Sequence, residues 1–251
     1  MSLQYFKNWK RYTKYELKEH NEKGLYMGMV STPFNKITLS AYADFFHYEW
    51  LRYSVDAPSS GQEYSAQLVY NISRSGDLIF SYRKMINPMN YSATNDKMNL
   101  IGDSKRDYYR VQLNYQALAW LKLQSRVEIT QRDAADKSRE KGYLIYQGFQ
   151  VKPLKNDMSL SFRYLLFDTD SYDTRLYTFE QDVPYSFSVP AFSGQGSRFY
   201  ILFSSSISRK LSVILRYSQT WYSDRNVISS GNDEIIGNKK SDFKAVLKLS
   251  F

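Results

Sequence analysis

Apolar and polar residues alternate along most of this chain, with the period of two that places successive side chains on opposite faces of a β-strand. Between residues 121 and 130, leucine, valine and isoleucine hold the odd positions around one serine. Lysine, glutamine, arginine, glutamate and threonine hold the even positions of the same run. No run approaches the roughly 18 apolar residues that a membrane-spanning helix needs. The pattern therefore predicts an all-β protein.

The spacing of the predicted turns adds a topology to this fold class. Eleven strands can be read from the pattern, with a twelfth if residues 4–18 form one. Short turns near residues 35, 75, 118, 156 and 209 alternate with long loops near residues 56, 97, 136, 182 and 231. Outer-membrane barrels have this arrangement, with short periplasmic turns and long extracellular loops. We therefore predict an antiparallel up-and-down transmembrane β-barrel of about 12 strands, formed by residues 24–251, with residues 1–23 as an irregular N-terminal segment or a first strand.

The aromatic composition agrees with a membrane protein but leaves a second interpretation open. The chain has 23 Tyr, 15 Phe and 4 Trp, and tyrosine suits a membrane–water interface because one end of its side chain is apolar and the other polar. The alternative is a soluble, Tyr-rich antiparallel β-domain that binds a ligand or a protein partner. A soluble sheet would show the same alternation with its apolar face turned inward.

The last twelve residues carry the clearest single alternation. Phe243, Leu247, Leu249 and Phe251 share one face of the predicted strand, and Lys244 and Lys248 share the other. The stretch resembles the terminal insertion signal of bacterial outer-membrane β-barrels, which ends in Phe after alternate apolar residues. The resemblance implies a location in the cell outer membrane, with outer-membrane lipid and the barrel-assembly machinery as partners.

The net charge of +9 belongs to the polar faces of the predicted strands. Lysine and arginine occur there as single residues and do not gather in a basic tail or a groove-reading helix, so we expect no direct nucleic-acid binding. In an open lumen these residues would favour anions. In a plugged lumen, which we favour, they would pair with Asp and Glu from residues 168–196. The predicted lumen-facing basic residues are Arg110, Lys122, Arg126, Arg163, Arg216, Lys244 and Lys248.

Residues suited to catalysis or metal binding are scarce. The chain has no cysteine and two histidines, His20 and His47. His47 stands near Asp44 and Glu49, but a strand-end residue explains it better than a catalytic fragment. Asp168, Asp170 and Asp173 alternate as calcium ligands sometimes do, although no glycine follows for the sharp turn of such a loop. We predict no catalysis, no cofactor and no metal, with a structural or transport-related role.

Several segments resemble a known Gram-negative family. They are residues 21–26 (NEKGLY), 39–46 (LSAYADFF), 50–53 (WLRY), 55–61 (VDAPSSG), 166–173 (LFDTDSYD), 187–191 (FSVPA) and 196–200 (GSRFY). Together they are similar to the C-terminal β-rich region of helix-hairpin-helix, competence-protein-like proteins. The resemblance implies that the helical DNA-binding repeats of the family would lie upstream. We therefore do not expect this chain to bind DNA. Because no secretory signal opens the sequence, we expect the chain to be the C-terminal part of a longer protein.

Overall fold

The computed structural model describes residues 2–7, 22–92, 99–135, 137–154, 157–208 and 210–249, with the backbone alone for residues 2–7. His20 and Phe251 therefore lie outside the described residues. No helix in the described ranges has the length and apolar character needed to cross a membrane.

Sixteen strands and two short 3-10 helices make up the described part of the chain. The strands are β1 Ser2–Lys7, β2 Glu22–Phe34, β3 Ile37–Tyr48, β4 Ser59–Ser73, β5 Gly76–Tyr91, β6 Leu100–Leu118, β7 Leu121–Ala134, β8 Lys137–Val151, β9 Met158–Thr169, β10 Leu176–Tyr177, β11 Ala191–Phe192, β12 Gln195–Ser208, β13 Leu211–Tyr222, β14 Val227–Ile228, β15 Ile235–Ile236 and β16 Lys239–Leu249. The helices span Tyr172–Thr174 and Gly231–Asp233.

Twelve of these strands form one sheet in chain order, from β1 through β9 to β12, β13 and β16. Neighbouring strands pair in antiparallel fashion, for example β8 with β9 and β12 with β13. The prediction of an all-β antiparallel meander is thus confirmed. The total strand count differs from it, because β10–β11 and β14–β15 form two small ribbons inside loops. Within the described residues, β1 pairs with β2 alone and β16 with β13 alone, so closure of the sheet stays a prediction.

Two predicted loops are wrong. The predicted long loop near residue 97 is wrong in length, because β5 extends to Tyr91 and β6 begins at Leu100. The predicted loop near 136 is a two-residue connection between β7 and β8. The charged run after residue 130 looked like a loop, yet Arg132 is buried on one face of β7 and forms an ion pair with Glu140. The strict alternation of short and long connections therefore fails at this position.

The chain divides into two compact units, of which the second comprises residues 72–78, 111–129 and 141–251. The first unit has its own polar cluster on neighbouring strands. There the Arg83 guanidinium donates two hydrogen bonds of 2.8 Å to the Glu63 carboxylate, and the Tyr42 hydroxyl donates to the same carboxylate. These hydrogen bonds thus hold a partly exposed charged pair on the sheet of this unit.

In the second unit, the buried face of the sheet is largely the polar one. Arg163 of β9 and Arg216 of β13 are 6% and 2% exposed, whereas Ile145 of β8 and Leu166 of β9 are 50% and 46% exposed. We call the face that carries Arg163 and Arg216 the inner face, and the opposite one the outer face. The predicted alternation is therefore present: the outer face is apolar and uncovered, and the covered inner face holds charged side chains beside buried apolar ones such as Leu144 and Leu165.

Glycine at position 196 is required by the close approach of two neighbouring strands. Gly196 pairs with Tyr222 on one side and Phe167 on the other. A Cβ at this position would lie 2.1 Å from the backbone oxygen of Trp221 and 2.8 Å from the Phe167 ring. A backbone carbonyl in a paired strand cannot move aside without breaking the ladder, so only glycine fits here.

We predict that Gly196→Ala lowers the free energy of unfolding by about 1–3 kcal/mol, the range for inserting an extra carbon into a packed site. Gly148→Ala is the matched control, because the nearest atoms to its Cβ would lie at ordinary contact distances of 3.5–3.7 Å. Urea unfolding of the two variants measures the difference. Equal stability of both variants would contradict the packing described for β12.

Candidate functional site

The loop between β9 and β12, residues 170–194, packs on the inner face, and we call it the inner loop. It begins with a 3-10 turn whose capping box joins Ser171 and Thr174. It continues through the β10–β11 ribbon, in which Leu176 pairs with Phe192. Leu176 and Phe192 are both buried, as is Thr174. These three side chains therefore anchor the two ends of the loop in the covered part of the fold.

The tip of the inner loop is a tight turn. The Ser186 amide donates a 3.1 Å hydrogen bond to the Val183 carbonyl, with Pro184 and Tyr185 between them. Tyr185 has a φ of +66°. Proline followed by a residue of positive φ is the signature of a type II turn, which usually has glycine at the second place. Beside the turn, the Glu180 amide donates to the Ser188 carbonyl at 3.0 Å, which holds the two arms of the loop together.

Glu180 is the centre of the contact between the inner loop and the sheet. Its carboxylate accepts hydrogen bonds from Arg198 Nε at 2.7 Å, Arg198 Nη2 at 2.9 Å and Arg216 Nη2 at 2.5 Å. Glu180 is 1% exposed, so one buried carboxylate faces two guanidinium groups. Arg216 further donates from Nη1 to Asp242 at 3.3 Å. This network balances two cations on the sheet against one acid from the loop and one from β16.

Asp182 makes a second ionic contact two residues further along the loop. Lys244 Nζ donates to Asp182 Oδ2 at 2.7 Å and to Ser186 Oγ at 2.9 Å. Burial opposes ionisation of Asp182, but hydrogen bonds from Lys244, the Val183 amide and Ser186, with the charge of Arg216, lower the pKa of its carboxyl below the ordinary 3.8. Asp182 is therefore ionised at neutral pH.

Backbone carbonyls of the inner loop accept further hydrogen bonds from arginine side chains of the sheet. The Phe179 carbonyl accepts from Arg163 Nη1 at 2.7 Å, and the Gln181 carbonyl accepts from Arg216 Nε at 3.1 Å. Arg126 and Arg163 each approach Thr178 Oγ1 at 3.4 Å. Side chains at 178, 180 and 182 thus alternate with carbonyls at 179 and 181 in contacting the sheet.

The path of residues 178–182 matches the spacing of the strands beneath it. Four residue steps of extended chain cover about 13 Å, and three strand spacings cover about 14 Å. The contacts run in sheet order from Arg163 on β9 through Arg198 on β12 and Arg216 on β13 to Lys244 on β16. The loop therefore crosses the inner face from strand to strand, with one polar contact for each strand it passes.

Of the predicted lumen-facing residues, the structure brings Arg126, Arg163, Arg216 and Lys244 together beneath the inner loop. Lys122 and Lys248 are exposed, and Arg110 belongs to the first unit. The sequence analysis missed Arg198, whose place at an even position of β12 beside Tyr200 is the signal that could have found it.

The predicted insertion signal lies on the outer face of β16 as far as the structure describes it. Phe243, Leu247 and Leu249 are all more than 60% exposed, and Lys244 is on the opposite face. Phe251 is outside the described residues, and the signal itself stays a prediction.

The other candidate residues each have a hydrogen-bond partner elsewhere on the sheet or its loops. His47 Nδ1 lies 2.9 Å from Ser60 Oγ, a neighbour set by the β3–β4 register that the sequence did not indicate. Glu49 accepts a hydrogen bond from Lys23 instead of orienting His47. Asp170 accepts from the Lys141 amide at 2.7 Å. Within the ranges that the structure describes, no group of three or more acidic or histidine side chains could hold a metal ion.

Comparison with known proteins gives structural similarity alone. No family model and no curated protein matches the chain. The siderophore receptor PirA from Pseudomonas aeruginosa is similar over 92% of this chain and 49% of its own, with 10% identity and a TM-score of 0.47. A Pseudomonas aeruginosa FadL homologue is similar over 92% of this chain and 65% of its own, with 11% identity and a TM-score of 0.44. The chain thus spans about half of the first structure and less than two thirds of the second.

We predict that Glu180→Gln loosens the inner loop, because the change leaves Arg198 and Arg216 without their shared carboxylate. Breaking a buried ion pair by removing one partner costs about 3–5 kcal/mol. Chymotrypsin should then cleave at the loop tip, near Tyr185 and Phe187, at least roughly tenfold faster than in the unmodified protein, since cleavage follows local opening. Glu234→Gln, the same change at an exposed loop residue, is the control. Equal cleavage rates in both variants would exclude an ionic anchor at Glu180.

We predict that the Asp182–Lys244 contact is lost in acid. The pKa of Asp182 is lowered on folding. The ionised carboxyl therefore contributes stability above its ordinary pKa, and this contribution disappears as the pH falls through the folded value. Urea midpoints measured from pH 7 down to pH 2 should fall less steeply below about pH 4 for Asp182→Asn than for the unmodified protein. Parallel curves would show that Asp182 is not the titrating group.

Proposed function

We propose that this chain forms a membrane-spanning β-barrel of an outer membrane, in which the inner loop closes the interior. The proposed role is transport-related or structural, in a closed form and without catalysis. Outer-membrane lipid and the barrel-assembly machinery are the proposed partners, and the relation to helix-hairpin-helix proteins is kept as part of this proposal.

The combination of an exposed apolar outer face with buried charges on the inner face of the second unit is the observation that carries the proposal. Ile145, Leu166 and Val127 lie close to half exposed on the outer face, while Arg163 and Arg216 are buried. Leaving a large apolar side chain in water forgoes about 1.5–3 kcal/mol, and burying a cation costs more unless it is paired. A water-soluble sheet would gain by the opposite arrangement. In lipid, the same outer face is stabilising and the inner face keeps its charges away from hydrocarbon.

The inner loop argues for a closed form over an open pore. Its contacts extend from β9 to β16, and the two central ones are a buried carboxylate with two arginines and a carboxylate with a lysine. Opening a path along this face would separate these charges. Passage of a solute would therefore require release of the loop by a partner or by the solute itself.

The test begins with folding in detergent and comparison of boiled and unboiled samples on a gel. We expect a compact unboiled band that shifts on boiling, as a closed barrel unfolds only on heating. A protein that is monodisperse without detergent would contradict the membrane proposal and favour the soluble, Tyr-rich domain that binds a ligand or partner. In planar bilayers we then expect little conductance from the unmodified protein and more from Glu180→Gln, with Glu234→Gln as the control. A large conductance in the unmodified protein would contradict the closed form.

A further inference from the structure

A small polar pocket lies on the inner face beside the loop, next to Arg163. Its volume is about 70 Å³, several times the roughly 10–15 Å³ that one water molecule requires. Strands β7, β8, β9 and β12 supply its walls, and the inner loop supplies one residue, Gln181. The residues that matter for the argument are Lys122, Gln124, Gly148, Ser161, Arg163 and Gln181.

Arg163 has one hydrogen-bond donor left over at this pocket. Its Nη1 donates to the Phe179 carbonyl, and its Nη2 donates to Gln124 Oε1 at 2.8 Å. Its Nε is buried and has no hydrogen-bond partner among the described residues, although the side chain is more than nine-tenths buried. A buried donor without an acceptor costs about 1–3 kcal/mol, so this group is suited to a ligand that accepts hydrogen bonds.

The charge of the pocket is also unbalanced. Within the part of the chain that the structure describes, Arg216 and Arg198 pair with Glu180, and Lys244 pairs with Asp182. No carboxylate in those ranges forms an ion pair with Arg163 or Lys122. Water would satisfy the free hydrogen bond but not the charge. An anion would satisfy both.

Gly148 makes the room beside this donor. It pairs with Arg163 across β8 and β9, and a Cβ at residue 148 would lie 3.6 Å from Arg163 Nε. A methyl group there would lie against the Nε hydrogen, and its contacts of 3.5 and 3.7 Å with the backbone oxygens of Gln124 and Phe162 would cause no clash. The absence of a side chain at 148 therefore leaves the space next to Arg163 Nε unfilled.

We propose that this pocket binds a small inorganic oxyanion of the phosphate class. Arg163 Nε and the Lys122 ammonium supply charge and donors, and the Gln124 and Gln181 amides and the Ser161 hydroxyl line the remaining sides. Charge-assisted hydrogen bonds from an arginine and a lysine are the usual means of holding a tetrahedral oxyanion. The proposal depends on the pocket alone, whether or not the protein spans a membrane.

Calorimetric titration of the refolded full chain in detergent, at constant ionic strength, tests the proposal with inorganic phosphate as the probe. We expect saturable binding to the unmodified protein. We expect Gly148→Ala and Lys122→Gln to weaken it at least roughly tenfold, about 1.4 kcal/mol by the affinity relation. Lys248→Gln, which removes an exposed cation outside the pocket, is the matched control and should change the affinity less than twofold. Arg163 itself is left intact because it also holds the loop through Phe179.

Three results would overturn the proposal. One is no binding of phosphate, which would assign the pocket to water. Another is a loss of phosphate affinity in Lys248→Gln equal to that in Lys122→Gln, which would mean that phosphate responds to the overall positive charge and not to the pocket. The third is binding that Gly148→Ala does not weaken. Glycerol 3-phosphate serves as a second probe, because binding of the ester as tight as that of inorganic phosphate would contradict a pocket closed around a free ion. Gels of the same samples report barrel formation separately, so a protein that folds yet binds no phosphate rejects this inference alone.

Discussion

The buried contact between Glu180 and the two arginines Arg198 and Arg216 is the interaction on which the second unit depends. Leaving a covered guanidinium group without a carboxylate is costly, because the loss of hydration is not repaid. The sheet therefore needs the inner loop, and the loop needs the sheet for its own carboxylates. The 2.5 Å contact from Arg216 to Glu180 connects residues 36 positions apart. An interior built of paired charges is held in one arrangement, whereas an apolar interior would tolerate several.

The geometry of extended chain explains how one short segment can meet so many strands. Residues 178–182 run across the strands, so side chains and carbonyls of the loop alternate in facing the sheet. The side chains of Glu180 and Asp182 face the sheet and contact Arg216 and Lys244. The carbonyls of residues 179 and 181 accept hydrogen bonds from Arg163 and Arg216. Moving the loop by one residue would turn both carboxylates away from the sheet.

Alternation in the sequence was enough to predict the strands and most of the basic residues on the inner face. Lys244 and Arg216 could be placed on it because side chains in a strand follow a period of two. Their partners could not be named, since Glu180 and Asp182 lie in a loop that has no period. The loop near residue 136 was wrong for a related reason. Arg132 and Glu140 looked like loop residues by polarity, but in this fold charged residues also pack on the covered face of a strand.

The loop neutralises the inner face unevenly, and the order of its residues determines where positive charge remains. Over β12, β13 and β16 it presents carboxylates, from Glu180 and Asp182, but over β9 it presents uncharged acceptors, the Phe179 carbonyl and the Thr178 hydroxyl. A carbonyl accepts one hydrogen bond from Arg163 and leaves its full charge in place. Next to it, Gly148 withholds a side chain that could have covered the remaining donor. The position of the loop that neutralises most of the inner face therefore leaves the charge of Arg163 without a carboxylate. A small anion is the partner that would balance it.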